Sequence, residues 1–168
     1  TPINQNAIPN LNYIEKYIKK LLNIKFKYKV KIIITSQIYP GYLEYIKKKY
    51  LKNNKQVELI YMVDTLKMGE AIERFTNPDQ LIFGCDKKNK KIILKLFQNF
   101  KCKIFFFSIK ESELIKVSIN LYLYFSVNFA NILENFSSEL GISFSKIIRS
   151  LKTDPRIGKY AYINPSVG

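Results

Sequence analysis

Apolar residues recur along the first two-thirds of the chain in two alternating patterns. The segment 12–22 has apolar residues at every third or fourth position, as one face of a helix requires. Short apolar runs bounded by turn residues are typical of buried strands. This pattern predicts helices at 12–22, 42–51 and 90–100, and strands at 30–34, 57–63, 81–83 and 103–107. The segment between the second and third strands, through Gly69 and Pro78, is expected to be a loop.

Helices that alternate with buried strands indicate an α/β fold with a mainly parallel sheet. Such sheets bind ligands beyond the carboxyl ends of their strands. The loops that follow the first two predicted strands are 35–41 and 64–70. We therefore expect any site built on this sheet to use these two loops.

The pattern changes to all-helical from Glu111 onward. One long helix is predicted to run to about Leu140, where Gly141 is suited to end it, and a short helix follows at 143–151. The long helix is apolar on nearly all sides between Leu114 and Phe136, which is typical of a buried helix.

Lys116 and Asn120 are polar residues within this apolar run. They are four residues apart and therefore share one helix face. Burying the amide alone costs roughly 2–7 kcal/mol unless it finds a partner, and the ammonium is also costly to bury. The pair indicates a functional site. The alternative is that Lys116 only extends its ammonium to solvent from a helix end.

The formal net charge of +15 raises the question of a polyanionic partner. Only Arg74, Arg149 and Arg156 are arginines; the remaining basic residues are lysines scattered over predicted helix faces. Nucleic-acid sites favour arginine forks and aromatic platforms, and the sequence shows no nucleic-acid-binding motif. We expect no nucleic-acid partner. The alternative, binding through the lysine surplus, predicts a strong dependence on salt.

Cys85 and Cys102 have no metal-ligand spacing, and the chain has no histidine. Zinc sites and catalysis by Ser–His or Cys–His pairs are therefore unsupported. Both cysteines are predicted to be core residues, which fits a reducing cytoplasm. Polar residues such as Asn128 and Asn131 interrupt the long apolar helix, so we expect no membrane span, and the N-terminal residues lack the order of a signal peptide.

Several motifs, in order along nearly the whole chain, resemble those of the UDP-glucose/GDP-mannose 6-dehydrogenase family of nucleotide-sugar dehydrogenases. The strongest matches are Glu113-Leu-Ile-Lys-x-x-x-Asn120 and Asp154-Pro-Arg-Ile-Gly158. The others are Thr1-Pro2, Ser36-Gln-Ile-Tyr-Pro-Gly41, Asp64-Thr-Leu-Lys-Met-Gly-Glu-Ala71, Asn77-Pro-Asp79 and Ile82-Phe-Gly84. No single motif is decisive, but their order and spacing are specific.

The resemblance implies a fold, a reaction and partners. Residues 1–109 would be the later part of a Rossmann-type NAD-binding domain, and 110–168 the start of a helical central domain whose long helix pairs two subunits. The implied reaction is oxidation of the C6 hydroxyl of a UDP-glucose-like sugar by NAD, through an aldehyde and a cysteine thioester, to a uronic acid for polysaccharide synthesis. No metal is implied.

The resemblance also implies roles for single residues. Lys116 would stabilise negative charge on the reacting oxygen, Asn120 would hold the substrate and orient the attacking water, and Asp64 would be the general acid or base. Arg156 would reach a sugar nucleotide in the neighbouring subunit. Further substrate contacts are implied for Leu66, Lys67, Tyr162, Asn164 and Ser166, and cofactor contacts for Thr1, Pro2 and Gln37.

The chain departs from the family pattern at two of these positions. Asp64 stands where the family has a glutamate, and Gln37 replaces the common threonine. Simpler interpretations stay open: Asp64 as a strand-end turn residue, Arg156 as a partner of Asp154 or of a helix end, and Gln37 as an ordinary loop residue.

The family's cysteine would lie beyond Gly168, and its glycine-rich cofactor turn upstream of Thr1. We therefore expect the chain to be a fragment that is inactive alone. An alternative function is a sugar-nucleotide-binding or assembly protein that has lost the catalytic cysteine.

Overall fold

The computed structural model describes residues 10–66 and 69–166, which form two compact units divided after Val117. The helices are α1 (Asn12–Leu22), α2 (Tyr42–Tyr50), α3 (Ala71–Thr76), α4 (Lys90–Leu96), α5 (Ile109–Glu139) and α6 (Phe144–Leu151). The strands are β1 (Val30–Ile34), β2 (Val57–Met62), β3 (Gln80–Gly84) and β4 (Lys103–Phe107). A short 3-10 helix, Lys87–Asn89, precedes α4.

The first unit contains a four-stranded sheet in the order β1-β2-β3-β4. The pairs β1–β2 and β3–β4 are parallel, whereas β2–β3 is antiparallel. Ile34 pairs with Tyr61, so β1 and β2 end at the same edge of the sheet. The predicted α/β fold with a mainly parallel sheet followed by a long helix is confirmed, and one reversed pairing makes the sheet mixed.

The core of the first unit lies between the inner strands and α4. Its buried members are Ile60, Met62, Leu81, Phe83, Cys85, Ile93 and Phe97. Cys102 is half-buried and packs against this cluster. Cys85 is therefore a core residue, as predicted, whereas Cys102 lies at the edge of the core.

Two predictions differ from the structure by more than one residue at an element's end. The segment predicted as a loop through Gly69 and Pro78 contains helix α3, and the prediction was wrong there. All six residues of α3 are exposed, so no buried apolar face marks the helix in the sequence. Helix α4 ends at Leu96 rather than at residue 100, because Phe97 leaves helical geometry and its carbonyl accepts a hydrogen bond from the N–H of Phe100.

Helix α5 begins with a capping box. The N–H of Ser108 donates to Oε2 of Glu111 at 2.7 Å, and the N–H of Glu111 donates to Oγ of Ser108 at 3.3 Å. Gly84, at the end of β3, packs directly against the next turn of α5. A Cβ atom at position 84 would lie 1.8 Å from Oγ of Ser112 and 2.8 Å from Cα of Ile109. A glycine is therefore required for this close approach.

Helix α5 ends as predicted at Gly141, which has the left-handed φ of 66°. The N–H of Ile142 donates to the carbonyl of Ser137, and the N–H of Gly141 to that of Ser138. This is a Schellman motif. Helix α6 follows, and Ala130, Ile148 and Ile163 form the buried centre of the second unit.

The apolar residues of α5 are largely exposed in the single chain. The helix is therefore not buried within one chain, although its apolar sequence predicted burial. Phe125, Phe129, Ile132 and Phe136 are between 49% and 62% exposed. Their spacing of four, three and four residues places them on one helix face. Across residues 10–66 and 69–166, no helix combines the length and apolarity that a membrane crossing requires.

Candidate functional site

The carboxyl ends of β1 and β2 open into loops that lie side by side in the first unit. A cleft of about 80 Å³ is formed there by residues of both loops and of the segment leading into β3. Its lining includes Thr35, Asp64, Leu66, Arg74 and Gln80. Both loops thus border one cleft, at the edge where open α/β sheets bind ligands.

Lys116 extends from α5 to the end of β2. Its Nζ atom donates to the backbone carbonyl of Asp64 at 2.5 Å. Burial lowers the pKa of Lys116 below the ordinary lysine value, while the negative charge of Asp64 acts in the opposite direction. The structure therefore brings together two residues predicted to be catalytic and places a half-desolvated ammonium beside a carboxylate.

Asp64 also shapes the loop in which it lies. Its Oδ1 atom accepts a hydrogen bond from the N–H of Leu66 at 2.8 Å, which is the geometry of an Asx turn. The side chain of Leu66 is exposed. Lys67, also predicted to contact substrate, lies outside the described residues. The turn role and the proposed acid–base role of Asp64 are compatible, because a carboxylate has two oxygens.

Glu113 has a structural part in this site that the sequence did not reveal. Its side chain is 0% exposed, and its carboxylate accepts hydrogen bonds from the N–H groups of Gly41 at 2.5 Å and Leu43 at 2.9 Å. Burial raises the pKa of Glu113, and these two bonds oppose the rise. The partners are backbone groups some seventy residues earlier in the chain, so no side-chain motif could identify them.

Tyr61, in β2, is fully buried, and within the described residues its hydroxyl has no hydrogen-bond partner. Burial and the charges of Glu113 and Asp64 raise the pKa of this hydroxyl, so it stays protonated. Tyr61 pairs with Ile34 at the end of β1, so it lies in the sheet next to the point where the loop after β1 begins.

We expect Tyr61→Phe to leave the free energy of unfolding unchanged or to increase it by about 1 kcal/mol, because it removes a buried polar group that has no partner. Chemical unfolding of the full-length protein and its variant measures this difference. Tyr50→Phe is a suitable comparison, because the Tyr50 hydroxyl donates to Glu15 and its loss should be destabilising. A clear loss of stability in Tyr61→Phe would show that its hydroxyl has a partner.

One of the predicted cofactor contacts, Gln37, lies in the loop at this edge of the sheet. Gln37 is exposed in the loop between β1 and α2, where its amide group is accessible to a ligand. Thr1 and Pro2 lie outside the described residues. The glycine-rich phosphate-binding turn is absent from the sequence, and the cleft is well below the roughly 300–1,000 Å³ of typical ligand pockets. The cofactor contact at Gln37 therefore stays a prediction.

In the second unit, Asn120 lies one helical turn after Lys116 on α5 and is half-buried. Arg156 lies in a turn and binds Asp154, two residues earlier in the same motif. Its Nε and Nη2 atoms donate to Oδ1 and Oδ2 of Asp154 at 3.0 and 2.7 Å. These bonds lower the pKa of Asp154. The Arg156 side chain is 88% exposed, so the Asp154 pair orients it without removing it from solvent.

The segment after this turn carries three residues that were predicted to contact substrate. Tyr162, Asn164 and Ser166 are all exposed, whereas Ile163 between them is buried. The backbone of Ser166 is held by Asn131 of α5, with N–H to Oδ1 and Nδ2–H to carbonyl distances of 2.9 Å each. Asn131, noted in the sequence only as a polar interruption, thus fixes this segment to the helix.

Other chemistries find little support in the described part of the chain. No group of three or more potential metal ligands is present there. Burial raises the pKa of the Cys85 thiol, which disfavours the reactive thiolate.

The sequence matches two models of one family. Residues 1–101 match the NAD-binding domain of the UDP-glucose/GDP-mannose dehydrogenase family, and residues 110–168 match its central domain. NAD is therefore the cofactor of the first domain. Between them, the two matched segments include all the sequence motifs described above.

Comparison with individual proteins agrees with these matches. The chain is 32% identical over 159 residues to the UDP-glucose 6-dehydrogenase of Campylobacter jejuni, covering 92% of this chain and 39% of that protein. It is 25% identical over 163 residues to the UDP-glucose 6-dehydrogenase TuaD of Bacillus subtilis, covering 95% of this chain and 35% of that one. The chain thus spans less than half the length of these relatives.

Solved structures share the fold. A ternary complex of GDP-mannose dehydrogenase from Pseudomonas aeruginosa superposes with a TM-score of 0.84 at 20% identity, covering 100% of this chain and 41% of that one. A UDP-D-ManNAc dehydrogenase from Pyrococcus horikoshii superposes with a TM-score of 0.83 at 20% identity, covering 100% and 40%. The chain belongs to the UDP-glucose/GDP-mannose dehydrogenase family, of which it carries NAD-binding and central domain sequence.

Proposed function

We propose that the protein oxidises the C6 hydroxyl of a UDP-glucose-like sugar nucleotide with NAD, towards a uronic acid used in polysaccharide synthesis. The observation that carries this proposal is the contact between Lys116 and the backbone of Asp64 at the carboxyl edge of the sheet. A lysine amine close to an aspartate residue suits proton exchange with a sugar hydroxyl, and this supports the proposal. Family membership supplies the reaction class.

NAD supplies the hydride acceptor. Lys116 stabilises the oxygen that becomes negatively charged as the alcohol loses its proton, and partial desolvation strengthens that electrostatic effect. Asp64 takes up or returns the proton. Because the aspartate side chain is one C–C bond shorter than that of glutamate, the backbone at position 64 must lie closer to the substrate for the carboxylate to reach it. Asn120, one turn beyond Lys116, holds the sugar and orients the attacking water.

Further residues contribute to binding in this proposal. Gln37, Thr1 and Pro2 contact the cofactor. Leu66 and Lys67, which follow Asp64 in the chain, contact the substrate. Arg156 reaches a sugar nucleotide in the neighbouring subunit, where its exposed guanidinium forms paired hydrogen bonds with phosphate. The remaining substrate contacts are Tyr162, Asn164 and Ser166.

The proposal is tested by incubating purified full-length protein with NAD and each of several nucleotide sugars, and following NADH absorbance. We expect reduction of NAD with at least one UDP-linked hexose whose C6 carries a free hydroxyl. The matched 6-deoxy sugar nucleotide is the control, because it binds similarly but offers no hydroxyl to oxidise. If none of the nucleotide sugars leads to reduction of NAD, the result would contradict an oxidative function.

A second candidate is a sugar-nucleotide-binding or assembly protein that has lost the catalytic cysteine. The observation that favours it is the replacement of the family's glutamate by Asp64, a departure from the family pattern at the proposed acid–base position. This candidate predicts sugar-nucleotide binding, measured by calorimetry, with no NADH formation. Binding together with turnover would exclude it.

We further propose that the protein is a homodimer joined through α5. The apolar face formed by Phe125, Phe129, Ile132 and Phe136 is exposed in the single chain, and a second copy of the same helix would cover it. The double substitution Phe125→Glu and Phe129→Glu should therefore convert a dimer into a monomer, as measured by sedimentation equilibrium.

Glu134→Gln is the control for that experiment, because it changes a polar, exposed residue of the same helix. It should leave the dimer intact. A monomeric unsubstituted protein, or a doubly substituted protein that remains dimeric, would remove α5 from the interface.

A further inference from the structure

Glu113 is a fully buried carboxylate in the first turns of α5. Burial of a charge is costly unless hydrogen bonds compensate it. Here two backbone N–H groups, those of Gly41 and Leu43, donate to separate carboxylate oxygens at 2.5 and 2.9 Å. Both donors lie at the start of α2, where unpaired helix N–H groups and the helix dipole favour a negative charge. The carboxylate thus has suitable partners at its buried position.

The residues held by Glu113 form the end of the loop that follows β1. Gly41 adopts a left-handed φ of 92° at the start of α2, and Ile38 within the loop is only 2% exposed. Gln37, the proposed cofactor contact, lies between these anchors and the end of β1. Fixing Gly41 therefore restricts the conformations available to Gln37.

One helical turn after Glu113, Lys116 binds the carbonyl of Asp64 at the end of β2. Residues three apart lie on the same face of a helix. Successive turns of α5 therefore bind the loops that follow two adjacent parallel strands. The Glu113 carboxylate binds the loop after β1, and the Lys116 amine binds the loop after β2.

We propose that Glu113 is a positioning residue that fixes the loop after β1, and with it the cofactor contact at Gln37, in register with Lys116. This inference rests on the proposed function, because it takes the loop containing Gln37 to contact NAD. Glu113 is fully buried, so it acts through the N–H groups of Gly41 and Leu43 rather than by touching substrate or cofactor.

The expected consequence is a selective loss of cofactor affinity. Without the carboxylate, the two N–H groups lose their partner and the loop samples other conformations. If one-tenth of the molecules keep the binding conformation, the apparent Kd for NAD rises about tenfold. The sugar-nucleotide contacts proposed on the loop after β2 depend on Asp64 and Lys116 instead, so we expect sugar-nucleotide affinity to change less than about twofold.

The test compares Glu113→Gln and Glu113→Ala with unsubstituted full-length protein. Glutamine keeps the size and one acceptor oxygen but removes the charge, whereas alanine removes the contact. Glu44→Gln is the matched control, because Glu44 is an exposed carboxylate in the first turn of the same helix α2. For each protein we would measure amide hydrogen exchange in residues 35–43. Calorimetry would give the Kd values for NAD and for UDP-glucose, and steady-state kinetics would give KM and kcat.

In both Glu113 variants we expect faster amide hydrogen exchange in residues 35–43, and values of KM and Kd for NAD that rise about tenfold or more. The Kd of these variants for UDP-glucose should change by less than about twofold. All values measured for Glu44→Gln should stay within about twofold of those of the unsubstituted protein. A folded variant with unchanged NAD affinity would overturn the proposal. Equal losses for NAD and UDP-glucose, or global unfolding of Glu113→Gln, would also overturn it, because each would indicate a general structural role.

These outcomes remain distinct from those that test the proposed function. If the unsubstituted protein binds NAD but oxidises no nucleotide sugar, the proposed reaction is wrong, while hydrogen exchange and NAD affinity still decide the role of Glu113. If it binds no NAD at all, both proposals fail.

Discussion

Replacing Lys116 with alanine is expected to reduce kcat of the full-length protein by about 10²–10³, which corresponds to about 2.7–4 kcal/mol of transition-state stabilisation. The ammonium is half-buried and donates to the Asp64 carbonyl, and in the proposed mechanism it stabilises the negative charge that develops on the reacting oxygen. Because that charge appears mainly in the transition state, kcat should fall more than KM rises. Steady-state kinetics with NAD and UDP-glucose measure both constants.

Lys110→Ala is the matched control, since Lys110 is an exposed lysine in the first turn of the same helix. Its kcat should equal that of the unsubstituted protein. A Lys116→Ala variant with unchanged kcat would remove this residue from the mechanism.

The lowered pKa of Lys116 adds a pH signature. Burial favours the neutral amine, so the proton is lost at a lower pH than from an ordinary lysine. If the charged form is active, the rate declines as pH rises through this lowered pKa. In Lys116→Arg any retained rate should lack that decline, because an arginine stays charged throughout the range.

Gly84→Ala is expected to destabilise the protein by about 3 kcal/mol, at the upper end of overpacking costs. The added methyl group would lie 1.8 Å from Oγ of Ser112 and 2.8 Å from Cα of Ile109. Rotation of a serine side chain relieves the first clash, but only a shift of the α5 backbone relieves the second. Such a shift would move Glu113 and Lys116, so activity should fall together with the thermal unfolding midpoint.

The double variant Gly84→Ala, Ser112→Ala separates the two clashes. It removes Oγ of Ser112 and leaves the contact with Ile109, so we expect only part of the stability to return. Full recovery would show that the helix backbone does not limit this packing. An unchanged unfolding midpoint in Gly84→Ala alone would contradict the close packing of β3 on α5.

Local sequence patterns sufficed to predict most elements of the fold. The limits of α1, β1 and β4 agree with the predicted residues, because each combines a clear period with flanking turn residues. Helix α3 was missed because its six exposed residues carry no burial pattern. The antiparallel pairing of β2 with β3 was also beyond local patterns, since it depends on how distant strands meet.

The candidate site was predictable where side chains carry the chemistry. Lys116 was identified as a polar residue inside an apolar helix, and the structure shows its partner, the carbonyl of Asp64. Glu113 and Asn131 were not identified, because their partners are backbone groups of Gly41, Leu43 and Ser166. Every residue carries such groups, so sequence cannot indicate which of them a side chain will bind.

The central claim, oxidation of a sugar nucleotide by NAD, is tested most directly by the stoichiometry and product of a complete reaction. Full-length protein with limiting UDP-glucose and excess NAD should form two NADH per sugar, as the alcohol loses one hydride and the thiol adduct of the aldehyde a second. The product should be the uronic acid, detected by mass spectrometry. Binding of UDP-glucose and NAD without any NADH or acid would contradict the account.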